Sequence, residues 1–200
     1  MQDEGTAPSS TLATAKVVIL GDLGVGKTSL IQRICGNGFS EAEESTIGAS
    51  YRSVSYGDCR LDFWDTAGQE RYRSLVGLYL RGVHVIWVVT PVNAKDTENR
   101  PFYEPWSRVI DRAQAHDAVR LHVYSKGDMD HKKDQLHKGC IVTSARDNIG
   151  IEELLKLTTE CGRRVYMERQ ARQAMVPEKE DVVIPGRRLR CGGKEQCICG

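Results

Sequence analysis

Eight consecutive residues, Gly21-Asp22-Leu23-Gly24-Val25-Gly26-Lys27-Thr28, fit the pattern G-x-x-x-x-G-K-[ST] in full. Glycines at these positions let the backbone curl so that successive N–H groups point inward at phosphate oxygens. A helix starting near Lys27 and Thr28 and running through Ser29 adds the positive end of its dipole. Lys27 is the residue type that reaches β- and γ-phosphates, and the Thr28 hydroxyl is a ligand type for Mg²⁺. A second cluster follows in Trp64-Asp65-Thr66-Ala67-Gly68-Gln69-Glu70. Asp65 can hold Mg²⁺ through water. Gly68 can bring its N–H close to a terminal phosphate, and Gln69 can orient an attacking water. These types suit binding and hydrolysis of a nucleoside triphosphate. The first pattern alone leaves kinases, ATPases and GTPases open.

The elements that must position these residues can be read from periodicity. Lys16 to Leu20 is a continuous apolar run, the mark of a strand covered on both faces. Thr28 to Cys35 carries Leu30, Ile31 and Ile34 at helical spacing. Residues 36–50 read as a loop, and Tyr51–Tyr56 and Arg60–Trp64 as strands joined by a turn at Gly57-Asp58. A loop and short helix run to about Arg81. Val83 to Thr90 is the next strand, ended by Pro91. Residues 98–116 predict a helix around Trp106, Val109 and Ile110. Val119–Tyr124 and Cys140–Val142 predict strands, and 151–173 a last helix with Ile151, Leu154, Leu155 and Leu157 inward. This alternation predicts an α/β fold: a mostly parallel sheet with one antiparallel strand and helices on both faces. The expected organisation is a disordered arm over 1–15, a domain over 16–173 and a flexible tail over 174–200.

Composition narrows the classes further. A chain of 200 residues holds one domain plus tails, and 40% apolar residues exclude a wholly disordered chain. A net charge of +1, from 28 basic and 27 acidic residues, argues against a nucleic-acid partner. The start Met1-Gln2-Asp3-Glu4 has no secretory pattern, and Gln2 excludes myristoylation. The most apolar run, Val83–Val89, is far shorter than the roughly 20 residues a membrane helix needs. The seven cysteines read as reduced and cytosolic. His131, His137 and Cys140 lack the spacing of a four-ligand metal site, so that stretch reads as a solvated basic loop.

Taken together, the two motifs resemble those of the Ras superfamily of small GTPases and, within it, the Rab family, over roughly residues 16–170. The resemblance implies a P-loop NTPase G domain that binds GTP or GDP with Mg²⁺. It also implies that Gln69 is catalytic. Thr46, in Glu44-Ser45-Thr46-Ile47-Gly48, looks like the first-switch threonine that closes onto Mg²⁺ and γ-phosphate beside Thr28 and Asp65. Phe39 is similar to the aromatic that packs edge-on against guanine. Ser144-Ala145-Arg146 resembles the Ser-Ala-Lys loop that presents an N–H to the guanine oxygen. Ser125-Lys126-Gly127-Asp128 stands where the family has Asn-Lys-x-Asp. There Asp128 would accept from the guanine N1–H and 2-amino group, and Lys126 would lie along base and ribose. Tyr51, Trp64 and Tyr79 fall where Rab proteins place three side chains that effectors read. Glu44 to Ser50 with Gln69 to Leu75 look most like the early-endosomal branch.

Three departures set expectations of their own. Ser125 in place of Asn predicts guanine affinity weaker by about 1–2 kcal/mol, one or two side-chain hydrogen bonds. Asp128 and Ser144 are only 16 residues apart, so the stretch between them is short for the family. Leu23 is bulky where the family carries a small residue near the γ-phosphate, which predicts slow intrinsic hydrolysis. The tail from Gly186 to Gly200 has a net charge of +3 and ends in Cys197-Ile198-Cys199-Gly200. Two exposed cysteines there predict geranylgeranylation of Cys197 and Cys199, a two-chain membrane anchor. The implied partners are effectors, an exchange factor, a GTPase-activating protein, and prenyl-Rab extraction and escort proteins. The implied role is a switch in vesicle trafficking, cycling between cytosol and a membrane, with the early endosome the expected one. The alternatives are a non-catalytic or very slow guanine-nucleotide-binding scaffold, and a small-molecule kinase, for which no lid-like insert is apparent.

Overall fold

The computed structural model describes residues 12–94, 104–129, 136 and 139–175. Six strands form one sheet in the order β2-β3-β1-β4-β5-β6, with β1 at Ala13–Leu20, β2 at Ala49–Tyr56, β3 at Cys59–Thr66, β4 at Val85–Pro91, β5 at Val119–Ser125 and β6 at Ile141–Val142. Only the β2–β3 hairpin is antiparallel; every other neighbouring pair is parallel. The helices are α1 at Lys27–Ile34, α2 at Val76–Tyr79, α3 at Glu104–Arg112 and α4 at Ile151–Ala174. The expected α/β architecture, including its one antiparallel strand, is present.

Alternation along β1 explains why the sheet needs cover on both sides. Val17 and Ile19 point into a core shared with Leu30 of α1, Phe63, Trp87 and Leu154 of α4. Val18 and Leu20 point the other way, into a core with Val76 and Leu80 beside α2 and Trp106 and Ile110 of α3. An unbroken apolar strand is stable only in such a sandwich. The one polar atom of the Trp87 side chain, its indole N–H, donates to the Thr158 hydroxyl at 3.0 Å, so the buried ring carries no unmet donor.

Several boundaries differ from expectation. The first strand begins at Ala13, inside the segment expected to be a disordered arm. Ala13 and Ala15 are buried, and a Cβ on Gly162 of α4 would lie 2.6 Å from the Ala15 Cβ. Helix and strand approach so closely there that only small residues fit, and small residues do not register as an apolar run. The helix expected over 98–116 spans Glu104–Arg112, with Pro105 in its first turn, where a missing N–H costs nothing; residues 95–103 lie outside the described part. The segment after β3 is a 3-10 helix, Glu70–Leu75, that passes directly into α2. Among the described residues, no helix is long and apolar enough to cross a membrane.

Candidate functional site

The loops leaving the carboxyl ends of β1, β3 and β5 meet over one edge of the sheet, where ligands of open α/β folds bind. They enclose a cleft of about 450 Å³, of the size that takes a small ligand.

Its phosphate side is built on the turn from β1 to α1. Gly26, the residue before α1, has φ 97°, a left-handed conformation that side chains disfavour. Lys27 is buried, and its Nζ donates to the carbonyls of Gly21 at 2.9 Å and Asp22 at 2.8 Å, so the ammonium lies back across the mouth of the loop. Burial lowers its pKa, while the Asp65 and Asp22 charges oppose that shift. Thr28 Oγ1 donates to Asp65 Oδ2 at 2.7 Å and lies 3.1 Å from Thr46 Oγ1. Three residues separated widely in sequence thus bring three oxygen ligands to one point. The second carboxylate oxygen, Asp65 Oδ1, is buried with no hydrogen-bond partner, and burial pushes the Asp65 carboxyl up. An orphaned carboxylate oxygen beside two hydroxyls fits a hard, oxygen-seeking cation such as Mg²⁺. Among the described residues, no group of three His, Cys, Asp or Glu side chains offers a rival metal site.

Gly68 closes the phosphate side. A Cβ there would lie 2.4 Å from the Asp22 carbonyl oxygen and 2.6 Å from the Leu23 nitrogen, so the start of the segment after β3 rests on the phosphate loop itself. Arg73, farther along that segment, pairs with Asp22 at 3.4 Å and stacks over Trp106 at 5.1 Å. The ends of the hairpin strands are tied by a hydrogen bond from the Ala67 N–H to the Gly48 carbonyl, 2.8 Å.

The base side is built from β5, the loop after β6 and the loop after α1. Phe39, Lys126, Asp128 and Ala145 all line the cleft. Ser144 Oγ donates to Asp128 Oδ1 at 2.6 Å, the main cause of that carboxyl lying below its usual range. Ser125 is buried, and its hydroxyl sits 2.5 Å from the Val25 carbonyl and 3.2 Å from that of Thr90. The hydroxyl therefore ties the base-side loop to the phosphate loop. Its proton is directed to the backbone rather than into the cleft. Arg146 hydrogen-bonds Glu41, lies 3.7 Å from Asp128 Oδ2, and places its guanidinium 5.4 Å from the Phe39 ring centre.

Most sequence-predicted residues converge here: Leu23, Gly24, Gly26 and Ser29 join those already placed along the cleft wall. Four do not line the wall, one of them Asp65, which is buried behind Thr28 and accepts from its hydroxyl. The Val25 side chain packs in the core and contributes its carbonyl. Ser144 is fully buried behind Asp128. Gln69 precedes the 3-10 helix and does not line the cleft wall. Tyr51, Trp64 and Tyr79 do form one cluster, with ring centres 5.5 Å and 5.7 Å apart in sequence along the face of the hairpin. Cys197 and Cys199 lie outside the described residues. Sequence reasoning missed Glu41 and Met129 on the wall, and Arg33 of α1, which bonds the carbonyls of Ala145 and Arg146 at 2.6 and 2.9 Å. These residues sit in aperiodic or ordinary helical sequence, and no motif marks them.

Comparison with known proteins agrees with the geometry. The family model described as Ras of Complex, Roc, domain of DAPkinase matches residues 16–128. GTP-binding protein ypt1 of Schizosaccharomyces pombe is 34% identical over 153 residues, 69% of this chain and 74% of the relative. Ras-related protein Rab-1A of Dictyostelium discoideum is 32% identical over 199 residues, 91% of this chain and 95% of the relative. Ras-related protein Rab-1C of the same organism is 30% identical over 161 residues, 72% and 79% of the two chains. None of these names carries the early-endosomal assignment expected from the switch residues. The chain belongs to the Rab family of Ras-type small GTPases, enzymes that bind GTP and GDP with Mg²⁺ and hydrolyse GTP to GDP.

Proposed function

We propose that the chain is a membrane-trafficking switch whose two nucleotide states differ in the loops carrying Thr46 and Gly68. The convergence of Thr28, Thr46 and Asp65 is the observation that carries this reading. Bound Mg²⁺ would neutralise charge between the β- and γ-phosphates, held by Thr28 and Thr46 directly and by Asp65 through water. Lys27 leaves its two carbonyls to meet the phosphates, and Gly68 offers its N–H to the γ-phosphate. Loss of the γ-phosphate removes both tethers, and the loops relax. A partner that binds only the tethered form then reads the nucleotide.

Asp128 and Lys126 would read and cover the base, Phe39 would pack on its edge, and an N–H of the 144–146 loop would meet the guanine oxygen. Gln69 would orient water in hydrolysis. Half-exposed Leu23 on the rim, bulky beside the γ-phosphate position, supports a slow intrinsic rate that an activating protein raises. Tyr51, Trp64 and Tyr79 would form the effector-reading face. Geranylgeranylation of Cys197 and Cys199 would anchor the chain to a membrane, and extraction and escort proteins would return it to the cytosol. For the branch, Glu44–Ser50 and Gln69–Leu75 favour the early endosome, whereas the named relatives favour a Rab-1-type step. The relatives match far more of the chain, and we take the Rab-1-type reading. Single-turnover GTP hydrolysis with and without a Rab-type activating protein tests the switch. Acceleration together with GTP-dependent effector capture is expected, and equal capture of the GDP and GTP forms would refute it.

A further inference from the structure

The base side of the cleft has a component that its motif does not call for. Arg146 stands where the family pattern has Lys, and its guanidinium meets three groups at once. Nη2 hydrogen-bonds the Glu41 carboxylate, Nη1 faces Asp128 Oδ2 at 3.7 Å, and the plane lies 5.4 Å from the centre of the Phe39 ring. A lysine ammonium gathers its donors at one point on a flexible stem, whereas a planar guanidinium reaches two carboxylates from separate nitrogens while lying over a ring. The backbone from which Arg146 reaches out is itself fixed, because Arg33 of α1 donates to the carbonyls of both Ala145 and Arg146. The arginine therefore acts from an anchored loop on a segment, Phe39 to Glu41, that has no strand or helix of its own.

We propose that Arg146 is a positioning residue that staples the Phe39–Glu41 segment to the base-reading Asp128, closing the base side of the cleft and slowing nucleotide release. This rests on the reading above, in which Phe39 and Asp128 hold guanine. The two ends of the staple are solvent-exposed, Arg146 by 51% and Glu41 by 77% of their side chains, so ions screen it. Exposed pairs are individually weak, and an effect on the order of a few-fold in release rate is the scale to expect for Glu41. Release is consequently sensitive to ionic strength.

The test is release of a fluorescent methylanthraniloyl-GDP from the full chain, chased with unlabelled GDP at low and high ionic strength. Expected are release about threefold faster in Glu41→Gln, faster still, about tenfold, in Arg146→Ala, and an intermediate rate in Arg146→Lys. The wild-type rate rises with salt, and that slope flattens in Glu41→Gln. The Glu41→Gln/Arg146→Ala double variant is no faster than Arg146→Ala alone. A Glu41→Gln rate and salt slope equal to wild type overturns the staple, as does a double variant whose rate is the product of the single effects. If Arg146→Ala does not fold, the salt slope of Glu41→Gln, an exposed surface change, decides alone. Wild-type protein that binds no GDP would instead overturn the underlying reading of the base site.

Discussion

The two ends of the cleft are held by different physics. The phosphate end is made of backbone and buried groups: Lys27 against two carbonyls, Thr28 against Asp65, and Gly68 against the Asp22 carbonyl. The base end is made of side chains near the surface, Arg146 with Glu41 and Phe39, above a buried pair of serines. Buried, hydrogen-bonded charge is costly to disturb, and exposed charge pairs are cheap to open. On the proposed reading, nucleotide is gripped at one end and gated at the other.

The largest test of that contrast is Lys27→Ala. Losing the ammonium that would turn from its two carbonyls to the phosphates is expected to cost about 3 kcal/mol in GDP affinity, measured by calorimetry with Mg²⁺ present. A loss no larger than that from the base-end variants would break the comparison. Gly68→Ala comes next. The added methyl meets backbone rather than a flexible side chain, so a stability loss of about 1–3 kcal/mol is expected in thermal or denaturant unfolding. Ser125→Ala probes the link between the ends. It leaves the Val25 and Thr90 carbonyls short of a donor and is expected to cost about 1–2 kcal/mol and to speed release. Ser125→Asn is expected to slow guanine nucleotide release relative to wild type; unchanged off-rates would remove Ser125 as the cause of weak binding. A last effect lies away from both ends. His84 Nδ1 accepts from the Lys16 N–H, and burial, followed by the charges of Arg169 and Lys16, lowers its pKa to about 4. The unfolded state binds the extra proton first, so this contribution is complete above pH about 6.5 and is lost as pH falls toward 4. Acid titration of stability is expected to be shallower over that window in His84→Gln.

How much could be read in advance follows the same division. The phosphate end is contiguous in sequence, with residues 21–28 and 64–70 each carrying several ligands, and types and spacing sufficed to find it. Ser125 was visible as a departure, but its partner was not: a hydroxyl that bonds the Val25 carbonyl is a contact across 100 residues. Glu41 meets Arg146 across 105 residues, and a glutamate in a polar loop carries no period or motif. Arg33 is one more basic residue on a helix until the fold places the 144–146 loop beside it. In the fold, apolar runs marked β1 and β4, whereas Ala13-Thr14-Ala15 hid the start of β1. Smallness is demanded there by Gly162 on the helix packed above, and no window along one strand can show that.

The bond from the Ala67 N–H to the Gly48 carbonyl joins the segments that carry Thr46 and Gly68 at their roots. Thr46 sits two residues before this joint and Gly68 one residue after it. In the proposed switch a swing of either segment would load the other through this bond, so a protein docking on one of them would sense both.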